Sequence, residues 1–503
     1  MTQDLIVQLT APNGRTYQQP TGLFINNEWT ASADGAQITS INPTNEEPIV
    51  SVSAASKTDV DRAVVAARNA LQNPSWRKMS PSDRGRLLMR LSQLIEENRE
   101  TLATIETWDN GKPYAIALSD DLYETAEVFR YYAGFADKVF GQVISTNSDK
   151  FAYTLREPVG VCGQIIPWNF PLAMAAWKLA PALACGNTVV LKAAEQTPLS
   201  ILFLATLAAE AGFPPGVVNI INGLGSVAGA ALASHMDIDK IAFTGSTDTA
   251  RRIMGMASAN LKNITLETGG KSPLVVFDDA DVELAAFWAH GGVMYNQGQI
   301  CTATSRILVQ DGVYDRFLAA FLANVKEISK IGDPFDAETF QGPQISSAQM
   351  TRILEYVSIG KCEGAKLALG GEPFKHNADG KGYFVEPTVF TEVLPAMRIF
   401  QEEVFGPFVV ISRFSTEEEA VALANDSVYG LGSAIFTENI GKAHRIARDI
   451  HAGMVWINSS NDSDWRIPFG GVKQSGIGRE LGEAGLDAYS TVKAVHVNIK
   501  PKM

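Results

Sequence analysis

The chain has 503 residues, a hydrophobic fraction of 46% and a formal net charge of −13 at pH 7. Because this length exceeds what one hydrophobic core usually fills, two or three domains are expected. The negative charge, together with the absence of a local basic patch in the sequence, argues against a nucleic-acid-binding surface.

The cysteines are sparse and none forms a CxxC pair, which argues against a disulfide framework or a zinc site. They are Cys162, Cys185, Cys301 and Cys362. The opening residues "MTQDLIVQLT" lack the basic and apolar regions of a signal peptide, and no apolar run reaches membrane-spanning length. A cytoplasmic protein with no metal and no membrane partner is therefore expected.

The first part of the chain is turn-rich to about residue 60, and helical patterns follow. The run "TDVDRAVVAARNAL" has acidic residues in its first turn and apolar residues at three- and four-residue steps. Two further helical stretches are predicted around 82–105 and 117–139.

Short β-rich runs then alternate with helical segments, and this alternation predicts βαβ units and a parallel sheet covered on both faces. Ligands of such sheets lie beyond the carboxyl ends of the strands. The β-rich runs are 160–168, 187–192, 217–222, 240–245 and 272–277, and the helical segments are 172–184, 198–211, 227–235 and 247–260.

A second α/β region is predicted from about 271 to 480, with β-like runs at "SRILVQ" and "FVVISRF". The tail "YSTVKAVHVNIK" alternates apolar and polar residues, and such a strand needs a partner edge, for which another subunit is a candidate. Residues 142–158 are predicted to form a projecting hairpin.

Polar groups at two predicted strand ends indicate a nucleotide site. Lys192 and Glu195 follow one strand, and the carboxylate could accept hydrogen bonds from both ribose hydroxyls and repel a 2′-phosphate, which favours NAD over NADP. Gly245 and Ser246 stand where a helix begins, and its free N–H groups could face a pyrophosphate. A solvated turn glutamate and an unliganded helix cap are the alternatives.

A third strand end carries Gly225 and Gly229 in "INGLGSVAGAAL". The glycine spacing is one residue longer than the usual dinucleotide fingerprint, so tight turning explains it equally well. Three such features after three successive strands together predict a dinucleotide lying across the end of the sheet.

Cys301 lies in "YNQGQICTATSR", a small and polar setting that is unusual for a packing cysteine. A free thiol is mostly protonated near neutral pH and needs an activator, yet no histidine stands in a motif-like setting. Glu267, before two glycines, is a candidate to activate a water, and Asn169 is a candidate hydrogen-bond donor to an oxyanion. A structural turn glutamate and a helix-capping asparagine are the alternatives.

The motifs "WNFP", "FTGST", "LETGGKSP", "NQGQIC", "EEVFGP" and "PFGGVKQSGIGRELGEAG" stand in this order along nearly the whole chain. Together they resemble the NAD(P)-dependent aldehyde dehydrogenase superfamily. The segment "INSSNDSD" and its flanks look most like the fungal and yeast cytosolic aldehyde dehydrogenases. The resemblance implies oxidation of an aldehyde to the carboxylic acid with NAD+ and water, on simple aliphatic aldehydes and also on polar or amino-aldehydes.

The resemblance also implies roles for the reacting groups. Cys301 attacks the carbonyl to give a thiohemiacetal and then a thioester, while Asn169 and the Cys301 backbone N–H hold the oxyanion. Glu267 activates the hydrolytic water. Glu480 matches a position assigned to proton relay, and Lys178 supports that relay or bridges carboxylates.

The cofactor implied by the resemblance is NAD, with NADP as the lesser alternative. Lys192 and Glu195 are expected at the adenosine ribose, Ser246 and Trp168 near the pyrophosphate, and Glu403 at the nicotinamide ribose. The full predicted cofactor set is Ile165, Pro167, Trp168, Lys192, Glu195, Gly225, Gly229, Phe243, Gly245, Ser246, Thr268, Gly269, Gln349, Glu403 and Phe405.

The chain departs from the superfamily pattern at three places, and these departures bear on cofactor geometry more than on the chemistry. Ala193 replaces a proline beside the ribose site, "ELGGK" becomes "ETGGK" with Thr268 beside the catalytic glutamate, and Ala250 replaces a glycine.

At the substrate end, the resemblance also implies a tunnel lined by Phe170, Met174, Trp177, Tyr295, Asp462, Ser463 and Phe469. The polar run at 459–464 replaces bulky apolar residues of many relatives, so a wider, more acidic tunnel that accepts cationic aldehydes is one interpretation. The alternative is that Asp462 and Asp464 are solvated loop residues.

The resemblance divides the chain into a Rossmann-like NAD-binding domain (1–141 and 159–268), an α/β catalytic domain (269–480) and a small β oligomerisation segment (142–158 and 481–503). A homodimer or homotetramer is expected. A CoA-acylating semialdehyde dehydrogenase, a non-catalytic structural protein on this scaffold and a cysteine hydrolase are the rival functions. Glu267 disfavours the first, the presence of both Cys301 and Glu267 disfavours the second, and the lack of a histidine partner disfavours the third.

Overall fold

A computed structural model describes residues 5–500 as a mixed α/β fold. The strands are β1 (Ile6–Thr10), β2 (Thr16–Pro20), β3 (Leu23–Ile25), β4 (Glu28–Thr30), β5 (Gln37–Ile41), β6 (Pro48–Ser53), β7 (Val143–Ile144), β8 (Lys150–Pro158), β9 (Val161–Ile165), β10 (Thr188–Lys192), β11 (Val218–Ile221), β12 (Lys240–Thr244), β13 (Asn263–Glu267), β14 (Pro273–Val276), β15 (Arg306–Gln310), β16 (Lys366–Leu369), β17 (Thr388–Thr391), β18 (Phe408–Phe414), β19 (Gly432–Phe436), β20 (Met454–Ile457), β21 (Gly476–Ile477) and β22 (Ser490–Asn498).

The helices lie on both faces of the sheets. They are α1 (Lys57–Gln72), α2 (Pro74–Arg77), α3 (Pro81–Glu97), α4 (Arg99–Asn110), α5 (Tyr114–Ile116), α6 (Leu122–Phe135), α7 (Pro171–Ala184), α8 (Leu199–Glu210), α9 (Ala230–Ser234), α10 (Thr247–Ala257), α11 (Val282–Met294), α12 (Tyr314–Ile328), α13 (Ser347–Cys362), α14 (Arg398–Gln401), α15 (Glu417–Asn425), α16 (Ile440–Asp449) and α17 (Gly482–Ala488). Between residues 5 and 500, no helix combines the length and apolar character needed to cross a membrane.

The first large sheet has the strand order β21-β13-β12-β9-β10-β11-β3-β4. Its five central strands, β13 to β11, are parallel, and all residues of β9, β10, β11 and β12 are buried. The chain builds β10 and β11 on one side of β9 and then β12 and β13 on the other. Strand order therefore reverses between β9 and β12, which opens a crevice at their carboxyl ends.

The second large sheet has the order β16-β17-β18-β15-β14-β19-β20, and all its pairs except β16–β17 are parallel. The predicted parallel α/β class is thus confirmed, as two sheets. The residues that precede β14, β15, β18 and β19 at the amino ends of this sheet face the crevice of the first sheet. The functional cavity lies between them.

Three local expectations were wrong. The run at 272–277 belongs to the second sheet as β14, and Asn263–Glu267, not expected as a strand, takes the place beside β12 in the first. The helical stretch 82–105 is two helices, because Asn98 interrupts it between α3 and α4. The alternating polar residues and the terminal glutamate of Asn263–Glu267 explain why it did not stand out among apolar runs.

The third sheet, β22-β8-β7, projects with several exposed apolar side chains. Residues 142–158 do form a hairpin, β7 with β8, and β22 pairs along the whole of β8, from Ser490 with Pro158 to Asn498 with Lys150. The terminal strand therefore finds a partner edge within its own chain, whereas another subunit was the candidate named from the sequence. The division of the chain into three domains stays a prediction. Strand β21 lies in the predicted catalytic domain but pairs with β13 of the predicted NAD-binding domain, so the first sheet extends across that predicted boundary.

Candidate active site

A cavity of about 940 Å³ lies between the two large sheets, at the upper end of the size range of ligand pockets. It brings together residues from most of the motifs, although they are separated by more than 300 positions in the sequence. The predicted residues that line it are Pro167, Trp168, Asn169, Phe170, Met174, Trp177, Gly245, Ser246, Glu267, Thr268, Gly269, Tyr295, Cys301, Gln349, Glu403, Phe405, Ser463, Phe469 and Glu480.

Other predicted residues do not line this cavity. Ile165 and Phe243 are buried in β9 and β12, and Lys178 is buried behind the wall, whereas Asp462 is exposed. The remaining ones, Lys192, Glu195, Gly225 and Gly229, form a separate group beyond β10.

The strand reversal in the first sheet positions the wall of the cavity on that side. Residues 167–169 follow β9, and residues 245–247 follow β12, so both loops open at the crevice between the two strands. Ser246 caps α10, and its hydroxyl accepts a hydrogen bond from the Thr249 N–H at 3.3 Å. The remaining N–H groups of the first turn of α10 are available to an anion.

The loop that carries Cys301 has an unusual backbone. Asn296 (φ 48°), Gln297 (φ 57°) and Gly298 (φ 69°) are consecutive left-handed residues after α11. A Cβ at Gly298 would lie 2.0 Å from the carbonyl oxygen of Gly406, so only glycine fits there. Strain of this kind persists where surrounding contacts fix the chain, and such sites are often functional.

Buried amides fix this loop against the end of β9. The Asn169 Nδ2 donates to the Gln299 carbonyl at 2.9 Å, and the Asn296 Nδ2 donates to the Asn169 carbonyl at 3.1 Å. The Gln299 Oε1 accepts from the Ile345 N–H at 3.0 Å. An amide Nδ2 carries two hydrogens, so Asn169 keeps a second donor for the cavity that it lines.

The Cys301 thiol is a weaker acid than a free cysteine thiol. Burial, followed by the negative charges of Glu403 and Glu267, raises the pKa of the thiol to about 12, while the backbone N–H groups of Thr302 and Cys301 oppose this shift. Within residues 5–500, no histidine lines the cavity. The nearest charged groups are carboxylates, which favour the protonated thiol.

Glu267 is buried at the end of β13, and neither carboxylate oxygen accepts a hydrogen bond of standard geometry from the described residues. Burial, then the negative charge of Glu480, raises the pKa of Glu267 well above its ordinary value, and Lys178, Arg479 and the Gly471 N–H oppose the shift. Such a carboxyl group is a strong base when it loses its proton.

Behind Glu267 lies a buried ion pair. The Lys178 Nζ is 2.7 Å from the Glu480 Oε1 and donates to the Thr244 Oγ1 at 2.6 Å. Phe469 and Glu480 exchange backbone hydrogen bonds of 2.7 and 2.8 Å. This antiparallel bridge positions both the aromatic side chain of Phe469 and the Glu480 carboxylate that pairs with Lys178.

Glu403 is the second carboxyl group that acts on the thiol. Its Oε1 accepts from the Gly270 N–H at 3.0 Å, and a Cβ at Gly269 would lie 2.2 Å from its Oε2. Burial raises the pKa of Glu403 to about 7. Trp168 and Phe405 pack edge-to-face at 5.4 Å, and the Gln349 Nε2 donates to the Phe405 carbonyl at 2.7 Å.

The separate group beyond β10 contains an ion pair. The Lys192 Nζ is 3.2 Å from the Glu195 Oε2, and a Cβ at Gly229 would be 3.7 Å from the Lys192 Cδ. Gly225 and Gly229 are the first and last residues of a π-helical turn that precedes α9. Of these residues, Glu195 is partly exposed at the surface.

The far wall of the cavity is aromatic. Trp177 and Phe469 pack edge-to-face at 4.7 Å, and Phe170 carries the Lys112 Nζ 4.3 Å above its ring. Met174 and Tyr295 complete this wall.

The acidic side chains expected in the tunnel do not come from residues 459–464. Asp462 is exposed, and Asp464, off the cavity wall, is paired with Arg466 at 2.8 Å. Placing Asp462 on the tunnel was therefore wrong, because the loop turns its serine and asparagine side chains inward; Ser460, Asn461 and Ser463 line the cavity.

Three acidic residues that the sequence analysis missed line the cavity instead: Asp120, Asp121 and Glu124. Asp120 accepts from the Tyr295 hydroxyl at 2.9 Å, and Glu124 accepts from the Trp177 Nε1 at 2.8 Å. Asp121 is neutralised by a buried ion pair with Lys112. The spacing of 120 and 124 placed both on one helix face, but the pattern matched a solvated face equally well.

The sequence and fold of the chain resemble those of known proteins. The model of the aldehyde dehydrogenase family matches residues 29–495. The chain belongs to the aldehyde dehydrogenase family. Aldehyde dehydrogenase [NAD(P)+] 1 of Saccharomyces cerevisiae is 52% identical over 487 residues, 96% of each chain. The expected resemblance is thereby confirmed.

Solved aldehyde dehydrogenases have the same fold. The NAD+ complex of the Bacillus cereus aldehyde dehydrogenase has a TM-score of 0.93 at 49% identity and covers 95% of this chain and 97% of its own. The betaine aldehyde dehydrogenase of Staphylococcus aureus in complex with NAD+ has a TM-score of 0.94 at 44% identity, with 96% of both chains covered. In residues 5–500 there is no group of three or more His, Cys, Asp or Glu side chains placed to hold a metal ion.

The charges around the thiol of this aldehyde dehydrogenase generate a first prediction. In Glu267→Gln the thiol loses a carboxyl group whose negative charge raises the thiol pKa, so that pKa falls and iodoacetamide should alkylate Cys301 faster. Each unit of pKa corresponds to about a tenfold change in thiolate fraction. Alkylation followed by peptide mass spectrometry from pH 6 to 10 measures it.

Glu327→Gln, on the exposed face of α12, is the matched control and should alkylate like the parent. A slower reaction in Glu267→Gln would contradict the electrostatic account and would instead identify Glu267 as the base that deprotonates the thiol.

Proposed function

We propose that the chain oxidises an aldehyde to its carboxylic acid with NAD+ and water, through covalent catalysis by Cys301. The observation that carries the proposal is the convergence of a thiol, a buried amide donor and a buried carboxyl group on one cavity. A structural protein gains nothing from this arrangement, since burying Glu267 without a partner costs stability.

Cys301 is the nucleophile in this proposal. Its thiol gives up its proton to water, the sulfur bonds to the aldehyde carbon as the carbonyl π electrons move to oxygen, and the resulting oxyanion of the thiohemiacetal accepts hydrogen bonds from the Asn169 Nδ2 and the Cys301 N–H. One such donor typically lowers the barrier by ~3–4 kcal/mol. The cofactor, when bound, accepts the hydride, and an acyl thioester remains on Cys301.

Glu267 then activates the water that hydrolyses the thioester. Its raised pKa makes the carboxylate a stronger base, and no protein donor of standard geometry competes for its oxygens within the described chain. The Glu480–Lys178–Thr244 group lies behind it and supports a proton-relay role for Glu480, with Lys178 holding that carboxylate in place.

The residues present fit NAD. Glu403, at the Gly269–Gly270 backbone, offers carboxylate oxygens to the hydroxyls of one ribose, and Glu195 beside Lys192 does so for the other. The capped start of α10 at Ser246 suits the pyrophosphate between them. A carboxylate at the adenosine ribose disfavours a 2′-phosphate, so NAD is preferred over NADP.

A polar or cationic aldehyde is the proposed substrate class, alongside simple aliphatic aldehydes. Asp120 and Glu124 line the cavity and form no ion pair with any residue between 5 and 500, whereas Asp121 is paired with Lys112. Burial raises the pKa of Glu124 to about 7, so its negative charge develops as the pH rises through neutrality. An ammonium group at the far end of a short aldehyde would compensate both carboxylates.

Assembly into a homodimer or homotetramer is proposed for the projecting sheet. Val143 is 74% exposed and pairs with Tyr153 of β8, so it shares one face of the sheet with the exposed Phe151 and Leu155, which leaves an apolar surface of a kind that usually marks an interface. A cytoplasmic location stays a prediction.

The reaction itself generates the second prediction. The parent chain should reduce NAD+ with acetaldehyde, detected as NADH absorbance at 340 nm, without any requirement for CoA. Cys301→Ser should lose nearly all of this activity, because a hydroxyl is a poor nucleophile without a base. Glu267→Gln should form the acyl-enzyme, visible by intact mass, and release it slowly.

A strict CoA requirement would favour the CoA-acylating alternative, and the absence of both NADH and acyl adduct would favour a non-catalytic protein. Activity of Cys301→Ser at the parent's rate would overturn the proposed mechanism.

The third prediction concerns the acidic wall. In Asp120→Asn/Glu124→Gln, kcat/KM for 3-aminopropanal should fall relative to hexanal by roughly fivefold per lost charge contact of about 1 kcal/mol. In the parent, the preference for 3-aminopropanal should rise from pH 6 to 8 as Glu124 ionises. Asp462→Asn removes an exposed carboxylate off the cavity and is the control; a parent that prefers hexanal regardless of these changes refutes the cationic substrate class.

The fourth prediction concerns assembly. Deleting 490–503 removes β22 and should lower both the oligomeric state, measured by light scattering, and the activity. Leu155→Asp places a charge on the exposed apolar face without removing the strand and should also dissociate the assembly. Val65→Asp, on exposed α1, is the control; unchanged oligomers in both test variants would rule out this interface.

A further inference from the structure

Thr268 stands where the superfamily pattern usually has leucine, and its hydroxyl has a specific partner. The Thr268 Oγ1 donates to the Gln474 carbonyl at 2.7 Å, and the Thr268 N–H donates to the Ser475 carbonyl at 3.0 Å. Thr268 is almost fully buried. Leucine could make the backbone bond but not the hydroxyl bond, so the second contact depends on this particular residue.

The turn that receives these bonds, Lys473–Ser475, joins three parts of the protein. The Gln474 N–H donates to the Val428 carbonyl at 3.0 Å, in the loop before β19 of the second sheet. The Gln474 carbonyl also accepts from the Thr247 Oγ1 at 3.5 Å, and the Gln474 side chain accepts from Arg251. Both of these partners belong to α10, at the crevice of the first sheet.

Five of the residues joined through this turn line the cavity: Thr247, Arg251, Thr268, Val428 and Gln474. They lie on the side of Ser246 and the start of α10, away from the aromatic wall and from Asp120 and Glu124. The 473–475 turn therefore spans the part of the cavity that fits the pyrophosphate and the nicotinamide ribose, and it connects the two sheets there.

Within this turn the Ser475 N–H donates to the Val472 carbonyl at 3.1 Å, and other bonds reach neighbouring segments, such as that from the Ser475 Oγ to the Gly269 carbonyl at 2.7 Å. Lys473 has a left-handed conformation (φ 54°), which costs energy for a residue other than glycine, and its Nζ donates to the carbonyls of Asn425 and Ser427 at 2.9 and 3.1 Å. Contacts to neighbouring segments thus determine where Gln474 lies, and the Thr268 hydroxyl supplies one of them from the strand that ends in Glu267.

We propose that Thr268 is a positioning residue whose hydroxyl holds the 473–475 turn across the cofactor channel and thereby slows release of NADH. The inference rests on the proposed NAD site. Thr268→Val keeps the shape of the side chain and removes only the hydroxyl, so the turn loses the bond to the Gln474 carbonyl and opens more often. Thr268→Ser keeps the hydroxyl.

Three measurements test it. In stopped-flow fluorescence, NADH should dissociate from Thr268→Val roughly fivefold faster than from the parent, the effect of one lost hydrogen bond. Thr268→Ser should restore the slow rate, and alkylation of Cys301 should match the parent in both variants. Hydrogen exchange of residues 472–478, measured without cofactor, should be faster in Thr268→Val only.

Thr58→Val, an exposed residue of α1, is the matched control. Unchanged NADH dissociation together with unchanged hydrogen exchange in Thr268→Val would overturn the inference. If the parent chain bound no NADH, the proposed function would fail instead, while hydrogen exchange of the turn would still decide whether Thr268 holds it.

Discussion

The carboxyl groups of Glu267 and Glu403 act on the Cys301 thiol within one cavity, and in a medium of low polarity each negative charge there disfavours the next. Glu267 and Glu403 each raise the pKa of Cys301, and burial raises the pKa of both carboxyl groups in turn. Ionisation at any one of the three makes ionisation of the others harder. The order in which the site gains and loses protons is therefore a property of the group and not of any single residue.

The architecture supplies these groups from two directions. The first sheet ends in residues with donors and a base, Asn169 and Glu267, while the second sheet begins after the thiol and Glu403. Buried amide hydrogen bonds between Asn169, Asn296 and Gln299 join the two sides. Packing alone would hold the sheets together, but directional bonds are needed to fix a sulfur within reach of its donors.

The sequence predicted the parts of the site that have short-range signatures. Cys301 stood out because its neighbours are polar, and the loops after β9 and β12 stood out because turn and cap residues follow buried strands. The acidic wall could not be predicted in this way, because Asp120 and Glu124 have the pattern of any solvated helix and only tertiary packing turns them inward. Asp462 was wrongly placed on the tunnel for the opposite reason. A shift of one residue along a loop exchanges a side chain that faces the cavity for one that faces solvent. The pairing of β22 with β8 links positions more than 330 apart, and alternation in a strand says nothing about which edge will receive it.

The contact at Gly298 has a consequence for how this protein can diversify. Its Cα lies so close to the Gly406 carbonyl that the loop bearing the nucleophile and the loop bearing Glu403 are in backbone contact, without any side chain between them to absorb an adjustment. A substitution that displaces one loop must displace the other by the same amount. New specificities in this lineage should therefore arise at the aromatic and acidic walls, where side chains can vary singly, while the two loops can change only as a pair.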